Sequence, residues 1–332
     1  MNKCIAVLGA GSWGTALAIS LARNGHDVRL WSHRADHALD LAEHRCNRRY
    51  LPQTAFPEKL HPVHDMAAAM DRADLALVVV PSHAFQETLQ KLHPLMPAGC
   101  GLAWASKGLS EDAHLLHETA LAIFGDGTPL AVVSGPSFAK EVAAGLPTAL
   151  TVASLNPHFA SSLAQWLHSP ELRAYTSDDM VGVQLGGACK NVLAIAAGVA
   201  DGLGFGANAR AALITRGLTE MLRLAHSMGG RRETMMGLAG MGDLILTCTD
   251  NQSRNRRFGL GIGTGRPQED IRAEIGQEIE GYGAARLVHQ LAARQQVEMP
   301  ISEQTYRILY EGLPPAEAVR NLLLREAKPE NS

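Results

Sequence analysis

From Cys4 to Ser177 short apolar runs alternate with helix-periodic stretches, and after Asp178 the runs stop. The runs are CIAVLG, DVRLWS, LALVVVP, GLAWAS, LAVVSGP, ALTVAS and LRAYTS, beginning near residues 4, 27, 75, 101, 130, 149 and 172. Consecutive apolar positions suit strands covered on both faces, and strands alternating with helices build a mainly parallel sheet between two helical layers. The last one or two strands could instead form an antiparallel edge. From Met180 the period is helical, over 180–202, 209–228 and 280–295, then in two short segments after Pro300 and Pro314. The expected fold is α/β: a doubly wound, mainly parallel sheet over residues 1–178, followed by an all-α domain over 179–332.

A chain of 332 residues that is 46% hydrophobic and 19% charged has ample core for this arrangement. Its net charge of −3 offers no basic field for nucleic acid or an anionic membrane. Cys4, Cys46, Cys100, Cys189 and Cys248 are scattered, without a C-x-x-C pair, which argues against a disulfide scaffold or zinc ribbon and fits a reducing compartment. With no charged leader before the first apolar run, a cytoplasmic protein is expected. The most apolar stretch, 181–218, is interrupted by Lys190, Asp201, Arg210 and several glycines, so it is not expected to span a membrane.

The first run leads into VLGAGSWGTALA, with Gly9, Gly11 and Gly14 in G-x-G-x-x-G spacing. Gly9 permits the tight turn, Gly11 lets a pyrophosphate approach the backbone, and Gly14 lets helix and strand pack closely. The helix that follows presents free N–H groups and the positive end of its dipole to phosphates. A glycine loop in this strand–turn–helix context marks a Rossmann-type dinucleotide site. About 20 residues on, where NAD-specific sites carry an acid, the chain has LWSHR, with no acid before Asp36. The missing acid, with His33 and Arg34 nearby, tolerates or favours NADPH over NADH, because a carboxylate would repel a 2′-phosphate and a guanidinium can bind one, although a solvated polar turn fits the same residues.

Ligands of such sheets collect beyond the carboxyl ends of the strands. Those ends read Pro81-Ser82-His83, Ser106-Lys107-Gly108 and Ser134-Gly135-Pro136-Ser137, small or cationic residues that suit a polar substrate. Further on, MGDLILTCTDNQSRNRRFG combines Asp243 with a polar and basic cluster from Asn251 to Arg257. Arginine forks match phosphate oxygens, with Ser253 and Asn255 available to complete the shell, although a solvated helix start fits the same residues. No H-E-x-x-H, paired-acid metal box or G-x-S-x-G elbow occurs, and the helically spaced His114 and His117 suit an ordinary helix better than a metal. No metal is expected.

The apolar segment VQLGGACKNVLAIAAGVADG, residues 183–202, carries Lys190 and Asn191 within it. Burying an unpaired ammonium costs several kcal/mol or forces it to neutralise, roughly. A lysine here needs a reason.

Taken together, GAGSWGTALA, VVVPSH, SKGL, SGPSFAKEVAAGLPTA, the block from GVQLGGACKNVLAIAAGVADG to TRGLTEM, GLAGMGDLILTCTDNQSRNRRFG and GQEIEGYGAA resemble the bacterial NAD(P)-dependent glycerol-3-phosphate dehydrogenase family. The resemblance runs from about residue 5 to 310. It implies reversible reduction of dihydroxyacetone phosphate to sn-glycerol 3-phosphate, supplying glycerophospholipid synthesis, and a homodimer. Matched position by position, it implies Lys190 as proton donor and acceptor, and Lys107, Gly135, Ser137, Lys190, Asp243, Ser253, Arg254 and Asn255 as substrate positions. It also implies Ser12, Trp13, Arg34, Lys107, Ala139, Arg254 and Glu280 along the cofactor, beside Gly9, Gly11, Gly14 and His33. Glu278 departs from the family, which usually has an apolar residue there.

This supplies the reason for Lys190. Ketone reduction needs a hydride on carbon, which the cofactor supplies, and a proton on oxygen, which an ammonium supplies while stabilising the developing alkoxide. Partial burial lowers the lysine toward working pH, and Gly186, Gly187 and Ala194, about one turn away, are expected to leave room for a ligand. Asp243 is expected either to pair with Lys190 or to hold a substrate hydroxyl. Two alternatives stand beside this: a hydroxy-acid dehydrogenase of similar architecture, which would leave the cluster after Asp250 mostly unused, and a non-catalytic NADPH-binding sensor, which gives Lys190 no purpose.

Overall fold

A computed structural model describes residues 2–324; Met1 and residues 325–332 of the expected helical domain lie outside the described residues. The strands are β1 Cys4–Leu8, β2 Asp27–Trp31, β3 Cys46–Asn47, β4 Leu51–Ala55, β5 Leu60–Val63, β6 Leu75–Val78, β7 Gly101–Trp104, β8 Leu130–Ser134, β9 Thr148–Ala153 and β10 Leu172–Ser177. Eight of them form one sheet in the order β10-β9-β8-β7-β6-β1-β2-β5. All seven apolar runs are strands of this sheet. Because β8 meets β9 antiparallel while β9 and β10 run parallel to each other, the last two strands form a reversed edge.

β1 lies between β2 and β6, so the chain leaves it in opposite directions on its two sides. That switch point opens a crevice at the carboxyl ends of the strands. Buried Ile5, Val7, Leu17, Leu21, Leu75 and Leu77 fill one side of the sheet, and Ala6, Leu8, Phe85, Leu89 and Trp104 the other.

After β10, Asp179 caps the helix Met180–Gly202: its carboxylate accepts from Gly182 N at 2.7 Å, satisfying an otherwise unpaired first-turn donor. The start of this helix packs with the sheet through Met180 and Val183, and its remainder is the axis of the helical core. By length and composition it qualifies as a membrane span; the interrupting charges do not exclude it. Its apolar surface is nevertheless already used, since 89% of the apolar window is buried inside the protein. Helices Ala207–Ser227, Glu280–Arg294, Pro300–Tyr310 and Pro315–Leu323 fall where the helical period places them. Arg232–Met236, Asp243–Thr249, Arg254–Gly263 and Gln268–Ile275 are further helices, short and rich in polar or glycine residues.

Helix Arg254–Gly263 lies against Met180–Gly202 at backbone distance. A Cβ on Gly198 would stand 2.1 Å from the Arg256 carbonyl oxygen, and one on Gly259 2.0 Å from that of Ile195. The two helices that carry Lys190 and Arg254 are thereby held in fixed register.

Candidate active site

The glycine loop closes at the switch point. Gly9 has a φ of +126°, and a Cβ there would meet the Val79 carbonyl oxygen at 2.5 Å; on Gly14 it would come within 1.9 Å of the Gly9 carbonyl oxygen. At Gly11 a Cβ would meet nothing within 4 Å, so this edge of the loop is open. Helix Ser12–Arg23 begins there with no side-chain cap and no acid in its first turn, leaving its N–H groups and dipole to an anion. A cavity of about 630 Å³ follows the loop, lined by Gly9, Gly11, Ser12, Trp13, Gly14, His33, Arg34, Arg254 and Glu280 among others. Trp13 Nε1 is buried without a hydrogen-bond partner among the described residues. An open glycine cradle, a bare helix start and an unpaired indole donor fit a dinucleotide.

A second cavity, of about 550 Å³, shares Ser12, Trp13, Tyr50, Ala105, Arg254, Gln277 and Glu280 with the first and continues to Lys107, Ser137, Lys190, Asp243, Ser253 and Asn255. At its floor Asp243, 1% exposed, accepts from two lysines. Lys190 Nζ donates to Oδ1 at 2.5 Å and Lys107 Nζ to Oδ2 at 2.7 Å. Lys190 also donates to Thr247 Oγ1 at 3.0 Å, whose hydroxyl donates to the Asp243 carbonyl oxygen at 2.6 Å. Lys107 reaches the Gly135 carbonyl oxygen at 3.2 Å.

Two ammoniums share one carboxylate, so the centre carries a net positive charge. Burial is the largest influence on Lys190 and lowers it; Asp243 opposes this, Lys107 adds to it, and the result is about 8. Burial pushes the Asp243 carboxyl up, but Lys107 and Lys190 together outweigh it and keep the group below the usual carboxylate range. Asp243 pairs with Lys190, with Lys107 as a second partner. Such a floor has the chemistry to deliver a proton to an oxygen placed beside Lys190 and to stabilise negative charge developing there.

Most expected site residues line one of the two cavities. Gly135 does not: its carbonyl oxygen supports the floor from behind, accepting from Lys107 and from Ser137 Oγ at 3.0 Å. Lys107 and Ala139 line only the second cavity. Arg34 pairs with Asp36, its guanidinium half-exposed at the rim of the first. Ser253 caps helix Arg254–Gly263, accepting from Arg256 N at 3.2 Å. The Asn255 amide donates to Asn191 Oδ1 at 2.9 Å while its oxygen accepts from Gly281 N at 2.9 Å. Gly186 is not small for the sake of a ligand: a Cβ there would lie 2.2 Å from the Ala239 carbonyl oxygen, so it serves helix packing. His117 bonds with Gln184, and among the described residues no group of three His, Cys, Asp or Glu is arranged to hold a metal.

Sequence reasoning missed Thr247, Tyr50 and Arg272 as lining residues, and Asn191 as the donor that fixes Glu280 at 3.0 Å. Only the spacing of Thr247, one helical turn after Asp243, could have signalled any of them.

Two family models match the chain: the NAD-dependent glycerol-3-phosphate dehydrogenase N-terminus over residues 4–160 and its C-terminus over 179–320. The chain is 62% identical to a glycerol-3-phosphate dehydrogenase [NAD(P)+] of Methylococcus capsulatus over 332 residues, 99% of each chain. It is 57% identical to that of Thioalkalivibrio sulfidiphilus over 98% of each. A crystal structure of glycerol-3-phosphate dehydrogenase from Coxiella burnetii superposes with a TM-score of 0.95 at 52% identity, covering 98% of this chain and 99% of that one.

Proposed function

The chain belongs to the NAD(P)-dependent glycerol-3-phosphate dehydrogenase family, and from that premise we propose how its residues carry out the reaction. It is an oxidoreductase that interconverts dihydroxyacetone phosphate and sn-glycerol 3-phosphate with a nicotinamide cofactor. The hydroxy-acid and sensor alternatives fall away with the family.

The observation that carries the mechanism is the pair of lysines on Asp243 at the floor of a cavity continuous with the glycine loop. A bound nicotinamide dinucleotide supplies the hydride that the carbonyl carbon receives. Gly9, Gly11, Ser12, Trp13 and Gly14 hold that cofactor, and His33 and Arg34 favour a 2′-phosphate, hence NADPH. Lys190 gives its proton to the carbonyl oxygen, keeps the N–H electron pair, and regains a proton from water; the oxidation runs these steps in reverse. Asp243 and Thr247 aim the ammonium, and Lys107 offsets the charge growing on the oxygen. Arg254, at the start of its helix and supported by Ser253 and Asn255, binds the substrate phosphate. Residues 1–178 form the cofactor-binding domain, from which Lys107 also reaches the substrate, and 179–332 the substrate-binding and catalytic domain; the enzyme works as a homodimer in the cytoplasm, and no metal takes part.

The test is loss of nicotinamide absorbance on adding dihydroxyacetone phosphate to enzyme with NADPH and, separately, NADH. Rapid oxidation with NADPH and slower oxidation with NADH support the account. Silence with both, from folded enzyme that binds NADPH, contradicts it.

A further inference from the structure

Outside the lining of the substrate cavity lies a second arginine, this one buried. Arg256 sits two residues after Arg254 but is 7% exposed. Its Nη1 donates to Asn251 Oδ1, and its Nη2 pairs with Asp201 Oδ2 at 2.5 Å. Arg210 Nη1 holds both oxygens of the same aspartate at 2.9 Å. At the backbone, the Arg256 carbonyl oxygen lies against Gly198, where a Cβ would stand 2.1 Å away. Arg256 is thus tied to the helix that bears Lys190 by main chain and side chain together.

The segment it holds is 250–253, which joins helix Asp243–Thr249 to helix Arg254–Gly263. Asp250, Asn251, Gln252, Ser253 and Arg254 all line the substrate cavity. Asn251 and Gln252 are exposed. The fork of Arg256 reaches Asn251 with one nitrogen and Asp201 with the other, which a single ammonium cannot do. Two guanidiniums on one carboxylate also leave a net positive charge beside this segment. The Nε of Arg256 is buried with no partner among the described residues, a cost that packing alone would not favour.

We propose that Arg256 is a positioning residue for the phosphate end of the substrate: anchored on Asp201, it fixes the 250–254 segment so that Arg254 stands at a set distance from Lys190. This rests on the reading that Arg254 binds the phosphate. Misplacing a binding group by about 1 Å costs up to about 100-fold. The consequence is selective. It falls on a substrate that carries phosphate, not on carbonyl chemistry as such.

The experiment compares kcat/KM for dihydroxyacetone phosphate with that for dihydroxyacetone at saturating NADPH, in wild type, Arg256→Gln, Arg256→Lys and Arg254→Ala. In Arg256→Gln the ratio of the two is expected to fall about 10- to 100-fold, mainly through KM for the phosphorylated ketone. Arg256→Lys, which keeps the charge but not the fork, is expected to fall nearly as far. Full recovery by lysine, or equal losses on both ketones, overturns the proposal. An unchanged ratio in Arg256→Gln alongside a collapsed ratio in Arg254→Ala overturns it while leaving the phosphate assignment standing. An unchanged ratio in Arg254→Ala removes that assignment, and the proposal with it. Should the Arg256 variants fail to fold, Asn251→Ala cuts the same link from the exposed side, and its ratio must fall in the same direction for the proposal to survive.

Discussion

Lys190 donates to Asp243 across 2.5 Å, although 53 positions separate them in the chain, and both side chains are buried. Asp243 therefore raises the lysine while burial lowers it, and the balance sets the protonation of the group proposed to serve the ketone. With Lys190 near 8, the proposed reduction uses the ammonium and the proposed oxidation the free amine. The kcat/KM for dihydroxyacetone phosphate is expected to fall as pH rises through about 8, and that for glycerol 3-phosphate to rise over the same range. In Asp243→Asn the raising partner is gone, so both limbs move to lower pH, with a loss on the order of 10²-fold in kcat. Paired pH profiles of wild type and variant check this; limbs that stay in place contradict the coupling.

Cofactor choice is expected to rest on Arg34. The rim of the first cavity also presents His33, and the partner of Arg34 is the exposed Asp36. Losing one charge-assisted contact to phosphate costs about 1.5–3 kcal/mol, so Arg34→Ala is expected to raise KM for NADPH about 10-fold or more. KM for NADH should barely move. Steady-state kinetics with each cofactor decide; equal effects on the two would place the 2′-phosphate elsewhere.

The register of the two site-bearing helices is expected to depend on glycine. At Gly259 an added methyl would overlap the Ile195 carbonyl oxygen at 2.0 Å, and backbone cannot rotate away as a side chain does. Gly259→Ala should lower stability by about 1–3 kcal/mol in chemical denaturation. It should also lower kcat, because Arg254 and Lys190 would move apart. An unchanged denaturation midpoint would show that the helices yield at no cost.

Glu220 makes a different contribution, away from the site. It is 1% exposed and accepts from Ile301 N at 2.6 Å and from both the N–H and hydroxyl of Ser302, capping helix Pro300–Tyr310. Burial, the largest influence, raises its carboxyl to about 7. The folded chain thus holds this proton more tightly than the unfolded one, so the group's contribution is most favourable below its ordinary range near 4.5 and is lost as pH rises through about 7. The stability of wild type relative to Glu220→Gln is expected to decline across that window. Denaturation series at several pH values test it, and a constant difference would mean that the carboxyl titrates normally.

Much of the fold was legible because its strands are covered on both faces: LALVVVP and LAVVSGP announce burial without a partner in view. β5 and the β3–β4 hairpin were not, since Pro52 and Pro62 interrupt them and they lie at or beyond the sheet edge, where little apolar patterning is needed. The glycine loop and Lys190 stood out because each breaks a local rule, one with glycines at a helix start and the other with a charge in an apolar helix. Thr247 breaks none. Arg256 resembled a solvated arginine because its partner, Asp201, lies 55 positions away and appears beside it only after the two helices pack. Gly186 misled for the same reason: its smallness answers to the Ala239 carbonyl oxygen, which the sequence cannot place opposite it.

The reaction proposed here depends most on Lys190 as the source of the proton. Its most direct test is the kcat of Lys190→Ala for dihydroxyacetone phosphate at saturating NADPH, with NADPH affinity measured in parallel on the same protein. The expected result is a fall on the order of 10²–10⁴ or more with little change in cofactor affinity. Turnover near that of wild type would contradict it.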